Sequence, residues 1–204
     1  MEEPFDEKEY WIKRHDKYRG DPRSVGNLSR TVEQNDVAQL NGRKLIRGVV
    51  PKLMPRSALD LACGVGRVAP DIIDLGFEYT GVDVSPTAIE QAKATYPEGS
   101  FVVGDITTYQ PTQKFDLVMA LHVLVHLVED KDWENALDVV AGALKPGGLF
   151  LLIDELPEES KRINVHVMTR SRETYKEALA ARGLKITDEL AHNPPKHTHP
   201  IRHI

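Results

Sequence analysis

The chain offers almost no sulfur chemistry, with one cysteine, Cys63, among 204 residues. A single thiol excludes an internal disulfide, so burial and hydrogen bonding must hold the fold, and a reducing compartment is expected. Aromatic residues are few, at 6%. No apolar run approaches the roughly 18 residues that span a bilayer, and the acidic amino terminus does not read as a signal peptide. A cytoplasmic protein with no membrane partner is therefore expected. Positive charge is also short: 26 Lys and Arg against 31 Asp and Glu give a net charge of −5. That balance argues against a broad phosphate-binding surface and disfavours nucleic acid as a partner. Low-complexity tracts are missing, and so is the Gly-Lys-Ser/Thr of a phosphate loop. The remaining composition, 41% apolar and 28% charged, suits one globular domain able to bury a sizeable core.

The densest information lies between Ala58 and Ser85. Ala58-Leu59-Asp60-Leu61-Ala62 reads as a short buried strand. Cys63-Gly64-Val65-Gly66 is a tight small-residue turn, and Arg67 to about Leu75 is an amphipathic helix. A second strand, Tyr79 to Val84, carries Asp83 at its carboxyl end. Strand, glycine turn, helix, strand and terminal carboxylate make the front half of a nucleotide-binding α/β unit. Gly64 and Gly66 are expected to let backbone approach a ligand where a Cβ would collide. Asp83 can accept two hydrogen bonds from ribose hydroxyls. Cys63, inside the turn, reads as a small packing residue.

The pattern continues with Ser85 as N-cap and Pro86 at the first turn of a helix reaching about Tyr96. Ser100–Val103 and Phe115–Leu121 read as strands, Asp132–Leu144 as a helix capped by Asp132, and Gly148–Ile153 as a fifth strand. Strands alternating with helices of this length imply βαβ units and a parallel sheet with right-handed crossovers. Upstream, one short helix before Tyr18 and a longer one over Thr31–Val50 are expected, the latter from Val32, Val37, Leu40, Leu45, Ile46 and Val49 at helical spacing. Downstream, residues 157–164 read as a charged loop. Arg172–Arg182 is a helix stopped by Gly183, and Leu184–Leu190 a sixth strand. His197–Ile204 is a weak last strand, its proline suiting only a sheet edge.

Asp60-Leu61-Ala62-Cys63-Gly64-Val65-Gly66 resembles the acidic-x-Gly-x-Gly-x-Gly motif of the class I S-adenosylmethionine-dependent methyltransferases, with Ala62 in place of the first glycine. Alanine permits close approach but is not expected to take a positive φ. Gly81-Val82-Asp83-Val84-Ser85, Val103-Gly104-Asp105-Ile106, the Phe115–Ala120 strand and Leu144-Lys145-Pro146-Gly147-Gly148 resemble the family's later motifs in the right order. The resemblance implies a seven-stranded Rossmann-like α/β sheet, mostly parallel with its last strand antiparallel. Helices cover both of its faces. Residues 57–204 would be the methyltransferase core, and residues 1–56 a helical cover of the same domain.

The resemblance further implies S-adenosylmethionine as cofactor and S-adenosylhomocysteine as product. Asp60, Ala62, Cys63, Gly64 and Gly66 would shape the methionine end, and Asp83 would take the ribose with Val84 beside the adenine. Asp105 and Ile106 would take the far edge of the adenine, and Ala120 and Leu121 would lie near the sulfonium. Tyr10, Trp11 and Arg14 would belong to the cover over cofactor and substrate, with Trp11 and Arg14 among the cofactor-binding residues. The size points to a small-molecule acceptor, methylated on oxygen, nitrogen or sulfur by a monomer or homodimer. Methylation of RNA or protein, and cofactor binding without turnover, remain alternatives; a nicotinamide-dependent oxidoreductase is the more distant one.

Methyl transfer is mainly a matter of placement, worth about 7–11 kcal/mol of barrier, against roughly 3–5 kcal/mol from a base giving 10²–10⁴-fold. The candidates for such a base are His122 and His126, which would share a face if their turn is helical. In the resembling family a histidine at the place of His126 usually ties that turn to its neighbours, so a structural role is expected for it ahead of a catalytic one. Asp154, Glu155 and His166 are lesser candidates. No third ligand accompanies the two histidines, so no metal is expected. Asn193-Pro194-Pro195-Lys196 reads as a turn, and His197, His199 and His203 as a solvated tail.

Overall fold

The computed structural model describes residues 5–50, 56–189 and 199–203, the last segment by its backbone alone. The chain begins with α1 (Glu7–Lys17), whose N-cap Asp6 accepts from the Glu9 amide at 2.9 Å. Next comes α2 (Val32–Val49), closed by a capping box between Thr31 and Gln34 that satisfies two amides otherwise left open at a helix start. The alternating part follows: β1 (Ser57–Leu61), α3 (Ala69–Asp74), β2 (Glu78–Asp83), α4 (Pro86–Thr95), β3 (Ser100–Val103), β4 (Phe115–Leu121), α5 (Asp130–Ala143) and β5 (Leu144–Asp154). The chain continues through β6 (Lys161–Asn164), β7 (Val167–Thr169), α6 (Arg172–Ala181), β8 (Ile186–Glu189) and β9 (His199–His203).

β1 to β5 form the parallel part of the sheet in the order β3-β2-β1-β4-β5. β9 joins β5 antiparallel and carries β8 beyond it, while β6 and β7 form a separate antiparallel pair. The parallel series is thus five strands, and the separate pair was not foreseen from the sequence: the charged 157–164 segment contains β6. Its residues are exposed, so no apolar alternation announced it.

Strand periodicity sorts the core into two layers. Leu59, Leu61, Phe150 and Leu152 pack on α5 and α6 around Trp133 and Tyr175, whereas Ala58, Leu151 and Ile153 pack with Ile46, Ile72 and Ile89 on the opposite face. Only the second half of α2 joins that layer, since Val37 and Leu40 are exposed. The apolar spacing expected along the whole helix therefore reflects two different surroundings.

Other boundaries differ from the sequence reading. α5 starts at Asp130 with Glu129 as N-cap, not Asp132. β5 already begins at Leu144, so the Lys145-Pro146-Gly147-Gly148 segment lies within it, and its irregularity appears as a register shift between Phe115 and Leu117 on β4. β9 lies between β5 and β8 rather than at an edge. Pro200 is tolerated because β8 pairs only with Ile201–His203, while Pro200 faces Ile153 of β5. The Asn193–Lys196 turn and His197 lie outside the described residues. No described helix is long and apolar enough to cross a membrane.

Candidate active site

The chain order reverses between β1 and β4, and that reversal opens a crevice at the carboxyl ends of the strands. A cavity of about 1420 Å³ occupies it. Its floor is made by Asp60 of β1 and Ala62 just after it, Asp83 of β2 and Val84 just after it, Asp105 after β3, and Leu121 and His122 at the end of β4.

The turn after β1 is the tightest part of that floor. Ala62, Gly64 and Gly66 all have positive φ, at 62°, 54° and 75°. Ala62 therefore does take the left-handed conformation, contrary to expectation. For a residue with a Cβ this costs about 1–2 kcal/mol. The turn holds because the Cys63 amide donates to the Val82 carbonyl at 3.0 Å and the Gly64 amide donates to Asp83 Oδ2 at 2.9 Å.

The glycines are also crowded by the protein itself. A Cβ on Gly64 would meet Val25 Cγ1 at 2.6 Å, and one on Gly66 would meet the Phe101 and Tyr96 rings at 3.0 and 3.1 Å. Both are therefore close to neighbouring side chains; Gly64 also lines the cavity, whereas Gly66 does not. Cys63 is buried with its sulfur beside Gly81, so it packs, and burial raises its thiol.

Asp83 is almost fully buried and joins two turns, accepting from the Gly64 amide on one oxygen and from the Ser85 amide, at 2.9 Å, on the other. Each oxygen keeps a second lone pair for a ligand. Burial raises this carboxyl, against the pull of His15 and the two amides. Asp60 lies deeper. It accepts from the Tyr79 hydroxyl at 2.6 Å, and burial pushes it up to about 7. Burial would also raise Asp105, but Lys8 and the Thr107 amide and hydroxyl outweigh it and hold that carboxyl below the ordinary range. Ile106 lines the cavity beside it. Ala120 does not: it is fully buried in the core beneath, and Leu121 is the β4 residue that reaches the crevice.

His122 and His126 do not share a helical face. The turn between them is a single 3-10 turn, Leu124–His126, and His122 precedes it with φ 57°. His122 is exposed at the rim, its amide donating to the Ile153 carbonyl at 2.6 Å. His126 Nδ1 lies 2.9 Å from the His166 carbonyl. A carbonyl only accepts, so Nδ1 carries the proton. Burial pushes His126 down to about 4. Asp154, beside them, accepts from the Val125 amide at 3.0 Å and the Tyr175 hydroxyl at 3.2 Å, and burial raises it to about 8. Among the described residues no group of side chains is arranged to hold a metal ion.

The roof is α1. Trp11 meets His126 edge-on at 4.8 Å, and Tyr10 stacks on His166 at 5.2 Å. Glu7 accepts from the Val128 amide at 2.8 Å, and Gln91 of α4 accepts from the Gly20 amide at 2.9 Å just beyond the helix. Arg14 is not free for a ligand: its guanidinium donates to the Arg23 and Gly26 carbonyls and fixes the connection to α2.

Two roof residues were missed in the sequence, Lys8 and His15. With Trp11 they lie at spacings of three and four along α1, the signature of one helix face, which could have found them. His15 is 2% exposed and both its ring nitrogens lack a partner.

These residues fit an adenosyl cofactor. Two strand-end carboxylates, Asp83 and Asp105, stand one strand apart with lone pairs left for hydroxyl and amine hydrogens, and a buried imidazole beside Asp83 lacks a partner. Comparisons with known proteins agree. A family model described as a methyltransferase domain matches residues 58–148. The chain is 35% identical over 119 residues to a trans-aconitate 2-methyltransferase of Methylobacterium radiotolerans, covering 56% of this chain and 44% of the relative. It is 33% identical over 101 residues to a ubiquinone biosynthesis O-methyltransferase of a Methylobacterium species, covering 45% and 38%. The chain thus spans less than half the length of these curated relatives. The solved glycopeptide N-methyltransferase MtfA in complex with S-adenosylmethionine superposes with a TM-score of 0.67 at 16% identity, over 81% of this chain and 93% of that one, a likeness of fold. Motif, crevice and matches lead to one conclusion: residues 58–148 carry a methyltransferase domain, with the fold of a solved S-adenosylmethionine-bound methyltransferase.

Proposed function

We propose that the chain transfers the methyl group of S-adenosylmethionine to an oxygen, nitrogen or sulfur atom of a small-molecule acceptor bound between α1 and the β6–β7 pair. The observation that carries this is the cavity. At about 1420 Å³ it exceeds the roughly 300–1,000 Å³ of a usual ligand site, and it runs from the strand-end carboxylates to His126, Glu155, Asn164 and His166. That is room for an acceptor next to the cofactor.

The cofactor supplies a methyl group on a sulfonium, a carbon that already bears a good leaving group. Asp83 holds the ribose hydroxyls, Asp105 and Ile106 the adenine, and Asp60, Ala62, Cys63 and Gly64 the methionine end. Lys8 occupies one Asp105 oxygen, but it is more than half exposed. Such pairs contribute about 0–1 kcal/mol, so it moves aside at little cost. Trp11 and Tyr10 cover the site from α1 and would exclude water from it.

The two histidines divide the remaining work. At about 4, His126 is a poor base at neutral pH, where proton transfer is best served by a group near the working pH. Its role is to hold the rim to β6–β7 through the His166 carbonyl. His122, exposed at the end of β4, takes the proton when the acceptor is a hydroxyl; an amine or thiol acceptor needs no base. The curated relatives named above include an O-methyltransferase, so hydroxyl acceptors are the first to test.

Radiolabelled methyl transfer from S-adenosylmethionine to a panel of phenols, carboxylates, amines and thiols tests the reading. Label on a small acceptor is expected. Label only on RNA or protein, or cofactor bound with no transfer to any acceptor, would overturn it.

A further inference from the structure

A buried imidazole with neither nitrogen paired is costly, because such a group loses its water without a replacement hydrogen bond. His15 is in that position, 2% exposed on the cavity face of α1 with both ring nitrogens unpartnered. Asp83 Oδ1 lies 3.9 Å from His15 Nδ1, too far for a direct hydrogen bond. Two contacts of about 2.8 Å span that gap when a single oxygen stands between them, at an angle near a right angle. A hydroxyl is the group that can serve both sides: it donates its proton to the carboxylate and accepts one from the imidazole.

We propose that His15 is a cofactor-binding residue whose imidazole shares a ribose hydroxyl of the adenosyl group with Asp83, so that the roof helix reads the nucleoside directly. This rests on the reading that the cavity holds S-adenosylmethionine. The neighbourhood suits a neutral donor. Burial, Arg14 and Arg67 disfavour charge on the ring more than Asp83 and Asp16 favour it. Trp11, whose ring centre is 6.0 Å away, packs beside the imidazole. In consequence, closing α1 and seating the ribose are one event. The floor offers Asp83 whether or not α1 is in place, but the second partner of the hydroxyl arrives only with the roof.

The test is calorimetric binding of S-adenosylhomocysteine and of 5′-methylthioadenosine to the full chain and to His15→Phe and His15→Gln, with thermal unfolding of each chain free of ligand. Tight binding of S-adenosylhomocysteine to the unaltered chain is the check on the underlying reading. His15→Phe keeps the packing and removes the hydrogen bond. It should weaken both ligands about three- to tenfold, the range of one neutral hydrogen bond. His15→Gln, which keeps a donor, should recover part of the loss. The ligand-free melting temperature of His15→Phe should stay level or rise, because an unpaired buried group has been removed. Unchanged affinity would overturn the proposal. So would a parallel fall in ligand-free stability, the mark of a merely structural histidine, or a loss confined to S-adenosylhomocysteine, which would place His15 at the amino-acid end.

Discussion

The floor and the roof of the cavity are built on different principles. The floor is backbone: strand ends fixed by the parallel register, a turn of three positive-φ residues, and a carboxylate that ties two turns by their amides. The roof is side chains: Glu7 on the Val128 amide, Lys8 on Asp105, Arg14 on two carbonyls, and aromatic rings against His126 and His166. Backbone geometry of this kind comes with the fold. Side-chain contacts form one at a time, and the exposed Lys8 pair is released at small cost. The contrast gives the floor the fixed contacts to the nucleoside, and gives the roof the admission of cofactor and acceptor together with the one ribose contact proposed for His15.

The sharpest attack on this contrast is at the place where the two meet. Gly64→Ala puts a Cβ on a residue at positive φ and against Val25, a roof-connection side chain. The left-handed penalty of about 1–2 kcal/mol and overpacking of roughly 1–3 kcal/mol together should cost about 2–5 kcal/mol of stability, measured by chemical denaturation. Adding Val25→Ala should return the packing share and leave the backbone share. Full recovery would show that backbone strain plays no part.

A second attack uses pH at the rim of the floor. The folded value of Asp154, about 8, lies above its ordinary 3.8. The protonated form is therefore favoured by folding: its contribution is complete below pH about 4 and is lost as pH rises through 8. Asp154→Asn, which keeps an acceptor for the Val125 amide, removes that dependence. The variant should gain on the parent by about 2–4 kcal/mol between pH 5 and 9 in thermal unfolding. Parallel curves would mean that Asp154 is ionised in the fold.

Smaller in effect, Asp83→Ala should weaken S-adenosylhomocysteine by about 1.5–3 kcal/mol, the scale of charged hydrogen bonds. It should also lower stability, since the Gly64 and Ser85 amides lose their acceptor. Unchanged affinity would take Asp83 off the ribose. The smallest expected change is a gain. Ala62→Gly relieves a left-handed alanine and should stabilise the chain by about 0.5–1 kcal/mol after the added flexibility of glycine in the unfolded state. A loss would show that the alanine methyl packs more usefully than its φ costs.

The same contrast explains what could be read from the sequence. Floor elements are local and periodic. Strand alternation, Ser85 with Pro86 at a helix start, and the run of acidic and small residues after β1 each write themselves in consecutive residues, and the structure places them together. Even there, sequence gives residue type and not surroundings. Gly64 and Gly66 stood out as small, but Val25, Tyr96 and Phe101 as the reason for their size come from elsewhere in the chain. Ala120 was adjacent to the right position and on the wrong face of β4. The roof was less legible because its contacts are long-range and polar. Nothing near Arg14 announces the Gly26 carbonyl, and His15 shows its meaning only once Asp83 is beside it. Of the β6–β7 pair, β6 is exposed and charged and lacked the alternation that marks a buried strand, and β7 is only three residues long.

The central claim is that the floor is made for an adenosyl sulfonium rather than a dinucleotide. Calorimetric titration of the full chain with S-adenosylhomocysteine and, separately, with NAD tests it most directly. Saturable one-to-one binding of S-adenosylhomocysteine with no heat from NAD is the predicted result, and tight NAD binding, or no binding of S-adenosylhomocysteine, would contradict it.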